Sequence, residues 1–217
     1  MLILGSIKTK KNNKIDRFST SGQVAYLYLL YNNRDITIDE LSKILERTKM
    51  TASRALDELY YAKLVTYGIR GKTGRKRYYK RIDDPQYFRI GYPYLKSPVL
   101  DKIEIYKSLD ILKSLKAGLS ALSEKSMINE PKHKIRAIAK TMKRNIESSF
   151  DPFINSNEKN DKDPLMQIEV WSYDPGILSK TESVDILSLK LSLANEKDER
   201  IQMEIDNLMR ENAWYGE

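Results

Sequence analysis

Apolar residues recur every three to four positions through the first third of the chain, a spacing that predicts helices. Thr20-x-x-Gln23 reads as a capping box opening a helix to Tyr31, with Val24, Leu27 and Leu30/Tyr31 on one side and Asn32-Asn33 as its end. The β-branched piece Ile36-Thr37-Ile38 follows, and a second box, Thr37-x-x-Glu40, starts a helix carrying Leu41, Ile44 and Leu45 and stopping near Arg47-Thr48. After a turn of a few residues, a third helix spans about residues 50 to 62. Its buried stripe is Ala52, Ala55, Leu56 and Leu59, and Thr51, Ser53, Arg54, Asp57 and Glu58 face outward. Two helices joined by so tight a turn make a helix-turn-helix. Residues 64 to 69 then read as a strand, residues 71 to 74 as a glycine-rich turn and residues 77 to 81 as a returning strand. Tyr26, Tyr31 and Tyr60 sit at core-like spacing, and Tyr78 and Tyr79 alternate faces.

The pattern changes after residue 82. Asp83-Asp84-Pro85 breaks the strand, and Pro93 and Pro98 through Asp101 read as an extended connector. Beyond it come an amphipathic helix over about 106 to 116, with Leu109, Leu112 and Leu115 in register, and a short helical piece over 118 to 122. Residues 133 to 138 suit a strand or a helix, and 155 to 164 are polar enough for a surface loop. Residues 166 to 173 alternate as a strand, and 196 to 213 form an amphipathic helix with Ile201, Ile205, Leu208 and Met209 on one face. The expected organisation is a basic arm at 1–17, a first domain at 18–90 and an α+β domain at 91–217.

The chain has 217 residues and a formal charge of +8. No apolar run reaches the roughly 20 residues that span a bilayer, and the lysines after the first apolar residues are in the wrong order for a secretory signal, so a cytoplasmic chain without membrane contact is expected. Zero cysteines exclude disulfides, thiol nucleophiles and cysteine-ligated metals, and a single histidine, His133, excludes a multi-histidine site. No catalytic residue, metal or cofactor is expected. A nucleic-acid-processing enzyme is the remote alternative: Asp163 and Glu169 suggest a Mg²⁺ pair, but Trp171 stands where a basic residue is needed.

Charge is unevenly placed. Residues 1–90 hold 19 Lys/Arg and 9 Asp/Glu, net +10, and the remainder is net −2. Seven Lys/Arg and no carboxylate lie between Arg70 and Arg81. Like charges crowded on a hairpin repel unless an anion sits between them, so a polyanion is implied. Helix, short strand, helix, turn, helix and two-stranded basic wing is the order of a winged helix. Met50-Thr-Ala-Ser-Arg-Ala-Leu-Asp-Glu-Leu-Tyr-Tyr-Ala-Lys-Leu-Val65 resembles the recognition helix and wing start of MarR-like regulators. The resemblance covers about 18 to 82 and implies an N-terminal winged helix-turn-helix; with the mixed helix and strand pattern read beyond residue 90, the expected fold class is α+β, the winged helix-turn-helix being followed by a mixed α/β C-terminal domain. In such a fold the third helix enters the major groove of double-stranded DNA and the wing tracks its backbone. The candidate contacts are Lys49, Thr51, Ser53 and Arg54 on the helix and Arg70, Lys72, Arg75, Lys76 and Arg77 on the wing. Arg54 has the planar fork that reads guanine.

Three later segments, Ala117-Gly-Leu-Ser-Ala-Leu122, Val170-Trp-Ser-Tyr-Asp-Pro175 and Val184-Asp-Ile-Leu-Ser-Leu-Lys-Leu-Ser-Leu193 with Asp198-Glu-Arg200, resemble AbiE-like abortive-infection antitoxins. That resemblance implies a repressor of its own operon whose C-terminal domain counters a nucleotidyltransferase-like toxin encoded nearby, and a homodimer is a further candidate partner. The alternative is a stand-alone MarR-like repressor that responds to a small ligand.

Overall fold

Ser19, rather than Thr20, caps the first helix, α1 (Thr20–Tyr31): its hydroxyl accepts the Gly22 N–H at 3.0 Å. Gln23, expected as half of a Thr20 box, is instead buried and pairs with the Lys96 backbone, donating Nε2 at 2.9 Å and accepting at 3.1 Å. Burial of an amide is tolerated when donor and acceptor are both satisfied. The computed structural model describes residues 15–70, 76–105, 114–144 and 166–216. Most of the expected arm, residues 1–14, lies outside them. Arg17 donates to the carbonyls of Pro93 and Leu95, at 2.6 and 2.7 Å.

The second box forms as expected. Thr37 ends β1 (Ile36–Thr37) and caps α2 (Ile38–Ile44), exchanging hydrogen bonds with Glu40. The turn into α3 (Lys49–Tyr61) passes through Glu46 at φ +50°, and the Arg47 N–H returns to the Ser42 carbonyl at 3.0 Å. That left-handed exit with a 6→1 bond is a Schellman-type helix stop. Ala52, Ala55, Leu56 and Leu59 are buried, as their spacing predicts. Strands β2 (Val65–Arg70) and β3 (Lys76–Arg81) pair antiparallel, with β1 on the far side of β3, in the order β1-β3-β2. Gly68 leaves room for the Tyr78 ring, which a Cβ would meet at 2.3 Å and push aside.

Residues 99 to 101 are extended, as expected, while residues 86 to 91, for which no element was expected, form a helix. α4 (Gln86–Gly91) folds back on α1, stacking Tyr87 on Tyr26 at 4.8 Å, and the Tyr87 hydroxyl donates to the Tyr26 carbonyl at 3.1 Å. Asp101 belongs to a strand, β4 (Val99–Ile105).

A second sheet follows, in the order β4-β7-β6-β5, formed with β5 (Leu115–Lys116), β6 (Lys134–Ala139) and β7 (Met166–Trp171). β6 and β7 run parallel and the outer pairs antiparallel. Residues 133 to 138 thus resolve largely as strand. Leu115 was expected in a helix, but Lys116 donates to the Glu182 carbonyl while Val184 donates to the Lys116 carbonyl, and β5 also pairs with β6. Backbone partners on both sides override the local leucine spacing. The other residues of that expected helix, 106–113, and the expected loop, 155–164, lie outside the described residues. α5 (Gly118–Ser123) packs on β6 and on α6 (Ile186–Ser192), which packs on α7 (Glu199–Arg210). Ile201, Ile205, Leu208 and Met209 of α7 are all buried. Ile105, Ile138, Ile168 and Val170 form a separate small core.

The fold is α+β with an N-terminal winged helix. Its main core crosses from one half to the other: Trp214 meets Tyr31 edge-on at 5.8 Å and Phe88 at 5.3 Å.

Candidate nucleic-acid interface

Thr48 sets the first turn of α3. Its Oγ1 accepts the Thr51 N–H at 3.3 Å and shares a hydrogen bond with Thr51 Oγ1 at 3.1 Å. Thr51 therefore spends its hydroxyl on its own helix end, and of the expected contact residues it is the one already engaged by the cap. Lys49 is exposed, with Nζ 2.7 Å from Asp39 Oδ1. Ser53 is half-buried. Arg54 is exposed and makes no hydrogen bond or ion pair among the described residues. A cation left without a partner on the outward face of a helix is ready for an external acceptor.

On the wing, the ladder sets Ile69 opposite Arg77 and Tyr67 opposite Tyr79. The Arg77 guanidinium lies 5.0 Å from the Tyr67 ring centroid. A hydrogen bond with Tyr79, then the charge interactions of Tyr79 and Tyr67, push its pKa up, so it stays cationic. Lys76 is exposed, with Nζ 4.0 Å from Asp39 Oδ2. Lys72 and Arg75 lie outside the described residues, as does the side chain of Arg70.

Helix and wing converge. Thr37, Ile38, Asp39, Lys49, Met50, Ser53, Lys76 and Arg77 line one groove of about 620 Å³. Four of the expected contact residues, Lys49 and Ser53 on α3 and Lys76 and Arg77 on β3, border this single concavity.

Sequence reasoning missed three aromatic residues and one carboxylate here. Tyr60, expected in the core, is 43% exposed, with Tyr61 at 51% and Tyr67 at 44%. Tyr60 lies 5.9 Å from Tyr61 and 5.3 Å from Tyr67, so the exposed rings form a bridge from the end of α3 to the wing. Tyr60 is one step past Leu59, where the stripe rolls off the core. The spacing Met50, Arg54, Tyr61 would have placed Tyr61 on the outward face. The missed carboxylate is Asp39. Its hydrogen bond with Lys49, then the charges of Lys49, Lys76 and Lys43, hold it below the usual aspartate range.

The described C-terminal residues show no comparable site. Among them no group of three or more His, Cys, Asp or Glu is placed to hold a metal ion. Asp163 lies outside the described residues. Glu169 is buried on β7 and accepts the Trp171 indole N–H at 3.0 Å. Burial pushes its pKa up, against the pull of Trp171 and Lys102. His133 borders a shallow hollow with Glu104, Lys132 and Gln167. No described helix is long and apolar enough to cross a membrane.

Residues 19–66 match a model of the MarR family. The match runs from the cap of α1 to the second residue of β2, through all three helices, and includes Lys49 to Arg54 on α3. This chain carries a MarR-like winged helix, and the rest of the wing and the whole C-terminal sheet lie beyond the match. Comparison with curated proteins and with solved structures finds no match.

Proposed function

We propose that the chain is a sequence-specific transcriptional repressor that reads double-stranded DNA with α3 and holds the phosphate backbone with its wing. The observation that carries the reading is the groove in which Lys49, Ser53, Lys76 and Arg77 meet, with Arg54 exposed one residue further along α3. A net charge of +10 over residues 1–90 supplies the sequence-independent attraction. Two half-sites read by a homodimer suit this geometry. The test is selection of duplexes from a randomised pool, followed by titration of Arg54→Ala. Affinity for the selected duplex is expected to fall by roughly 1–3 kcal/mol, and for random duplex much less. Equal losses on both would make Arg54 a phosphate contact, and failure to enrich any sequence would remove the reading.

The finer form of this proposal divides the labour near residue 90, the back half acting as the neutralising domain of an abortive-infection antitoxin. Its support is the sequence resemblance, together with the fact that the segments carrying it lie close in space: α5 packs on α6, and the Ser183 hydroxyl donates to Glu124 just beyond α5. The partner would be a nucleotidyltransferase-like toxin. Co-expression of the intact chain with the neighbouring reading frame tests it. The neighbour alone should arrest growth and the pair should form colonies. A harmless neighbour, or an arrest that is not relieved, leaves a DNA-binding regulator without an antitoxin role.

One observation favours a ligand-responsive regulator instead. A cleft of about 530 Å³ opens between the winged helix and the second sheet, with Arg47 at the helix-turn-helix turn, Lys140 and Arg144 around an apolar floor of Val24, Leu45 and Tyr173. A fall in duplex affinity on adding small metabolites, abolished by Lys140→Ala, would select that reading.

A further inference from the structure

A phosphate-binding surface gains nothing from a carboxylate at its centre, yet Asp39 stands there. It is the second residue of α2, and its oxygens face cations on two other elements: Oδ1 is 2.7 Å from Lys49 Nζ at the start of α3, and Oδ2 is 4.0 Å from Lys76 Nζ on β3. All three line the groove between helix and wing. Stability alone does not account for the arrangement. The lysine side chains are 73% and 78% exposed, and ion pairs so open to water add little to folding. The end of α2 is already secured by the reciprocal Thr37 and Glu40 bonds.

We infer that Asp39 is an electrostatic brake on DNA binding, a carboxylate that occupies Lys49 and Lys76 in the free protein and must be displaced by the phosphates of an incoming duplex. The inference rests on the duplex-binding reading above. A phosphate entering the groove meets two lysines that already have an anion, and it is repelled by that anion at a distance well inside the screening length of physiological salt. The cost falls on every duplex alike, because it concerns phosphates and not base edges. Base reading by Arg54 is untouched, while non-specific association is held down. Thr37 and Glu40 hold the start of α2 in place, so that its second residue, Asp39, is presented to both lysines.

The experiment titrates wild type, Asp39→Asn and Asp39→Glu against a random-sequence duplex and against a duplex selected by the wild-type chain, over a series of salt concentrations. Asp39→Asn is expected to bind both duplexes more tightly, by about tenfold at low salt. Its plot of log affinity against log salt should be steeper by about 0.9 if one lysine is released, and by about 1.8 if both are. Asp39→Glu keeps the charge and should stay close to wild type. A structural role for Asp39 predicts weaker binding by the Asn variant, so a gain cannot come from damage to the fold. An unchanged slope, a lower affinity, or a Glu variant that behaves like Asn would overturn the brake while leaving duplex binding intact. If neither wild type nor Asp39→Asn binds any duplex, the functional reading falls and the brake with it.

Discussion

The Tyr31 hydroxyl donates to Asp185 Oδ1 at 2.7 Å, joining the last residue of α1 to the cap of α6 across 154 positions of sequence. The same tyrosine oxygen accepts the Leu187 N–H at 3.0 Å, and Asp185 Oδ1 also takes the Ser188 N–H at 2.9 Å. The other carboxylate oxygen, Oδ2, is buried without a partner. Tyr173, whose hydroxyl is shared with Ser188 Oγ at 2.7 Å, is the remaining titratable group facing this pocket. The seam between the two halves is therefore a buried polar network around one carboxylate.

Burial raises the Asp185 pKa, against the lowering by its Ser188 and Tyr31 hydrogen bonds. A carboxyl whose folded pKa is raised favours the fold fully below its unfolded value, about 3.9, and loses that contribution as pH rises through the folded value. Asp185→Asn keeps an acceptor for Tyr31 and Ser188 and carries no charge. Its melting temperature is expected to exceed that of wild type at pH 7, with the difference vanishing near pH 4. A constant difference across that range in thermal melts would show that the carboxyl does not titrate on folding.

Arg81 closes the wing from inside. Its side chain is 2% exposed, forms a two-pronged bond with Asp84 at 2.6 and 2.7 Å, and lies 5.1 Å from the Tyr87 ring. Asp84→Ala leaves a buried cation unpaired and should cost about 3–5 kcal/mol in chemical denaturation. Arg81→Met removes the charge together with its desolvation penalty and should cost markedly less. Equal costs would mean that the pair is not buried in solution.

The wing is tested apart from the base-reading helix. Lys76→Gln with Arg77→Gln should weaken binding to all duplexes and flatten the slope of log affinity against log salt by about 0.9 for each lost phosphate contact. A slope equal to that of wild type would turn the wing away from DNA.

The two halves are expected to unfold together. Trp214 is 8% exposed and packs on Tyr31 and Phe88. Trp214→Ala should cost about 3–5 kcal/mol while leaving a single thermal transition. A fragment ending near residue 100, which the charge division alone suggests as a free-standing domain, loses Trp214 and Asp185 together and should melt well below the intact chain. Two separate transitions in the intact chain would argue against a shared core.

What the sequence determined by itself lies within a turn or two of the residues that signal it. The capping box of Thr37 and Glu40, the stripe from Ala52 to Leu59 and the amphipathic α7 follow from helical periodicity, which is local and survives any tertiary arrangement. The basic hairpin is legible because its charges repel one another wherever the hairpin sits. Tertiary structure decided the pairings that close over long separations. It took Gln23 from a helix cap to the Lys96 backbone, Leu115 from a helix to an edge strand and Tyr60 from the core to the surface. It also set Asp39 between Lys49 and Lys76 and Tyr31 against Asp185. Each outcome turns on which buried donor finds which acceptor, or which face an element turns inward. A backbone or side-chain polar group removed from water must be satisfied by whatever the fold brings within 3 Å or so, and no local period encodes that partner.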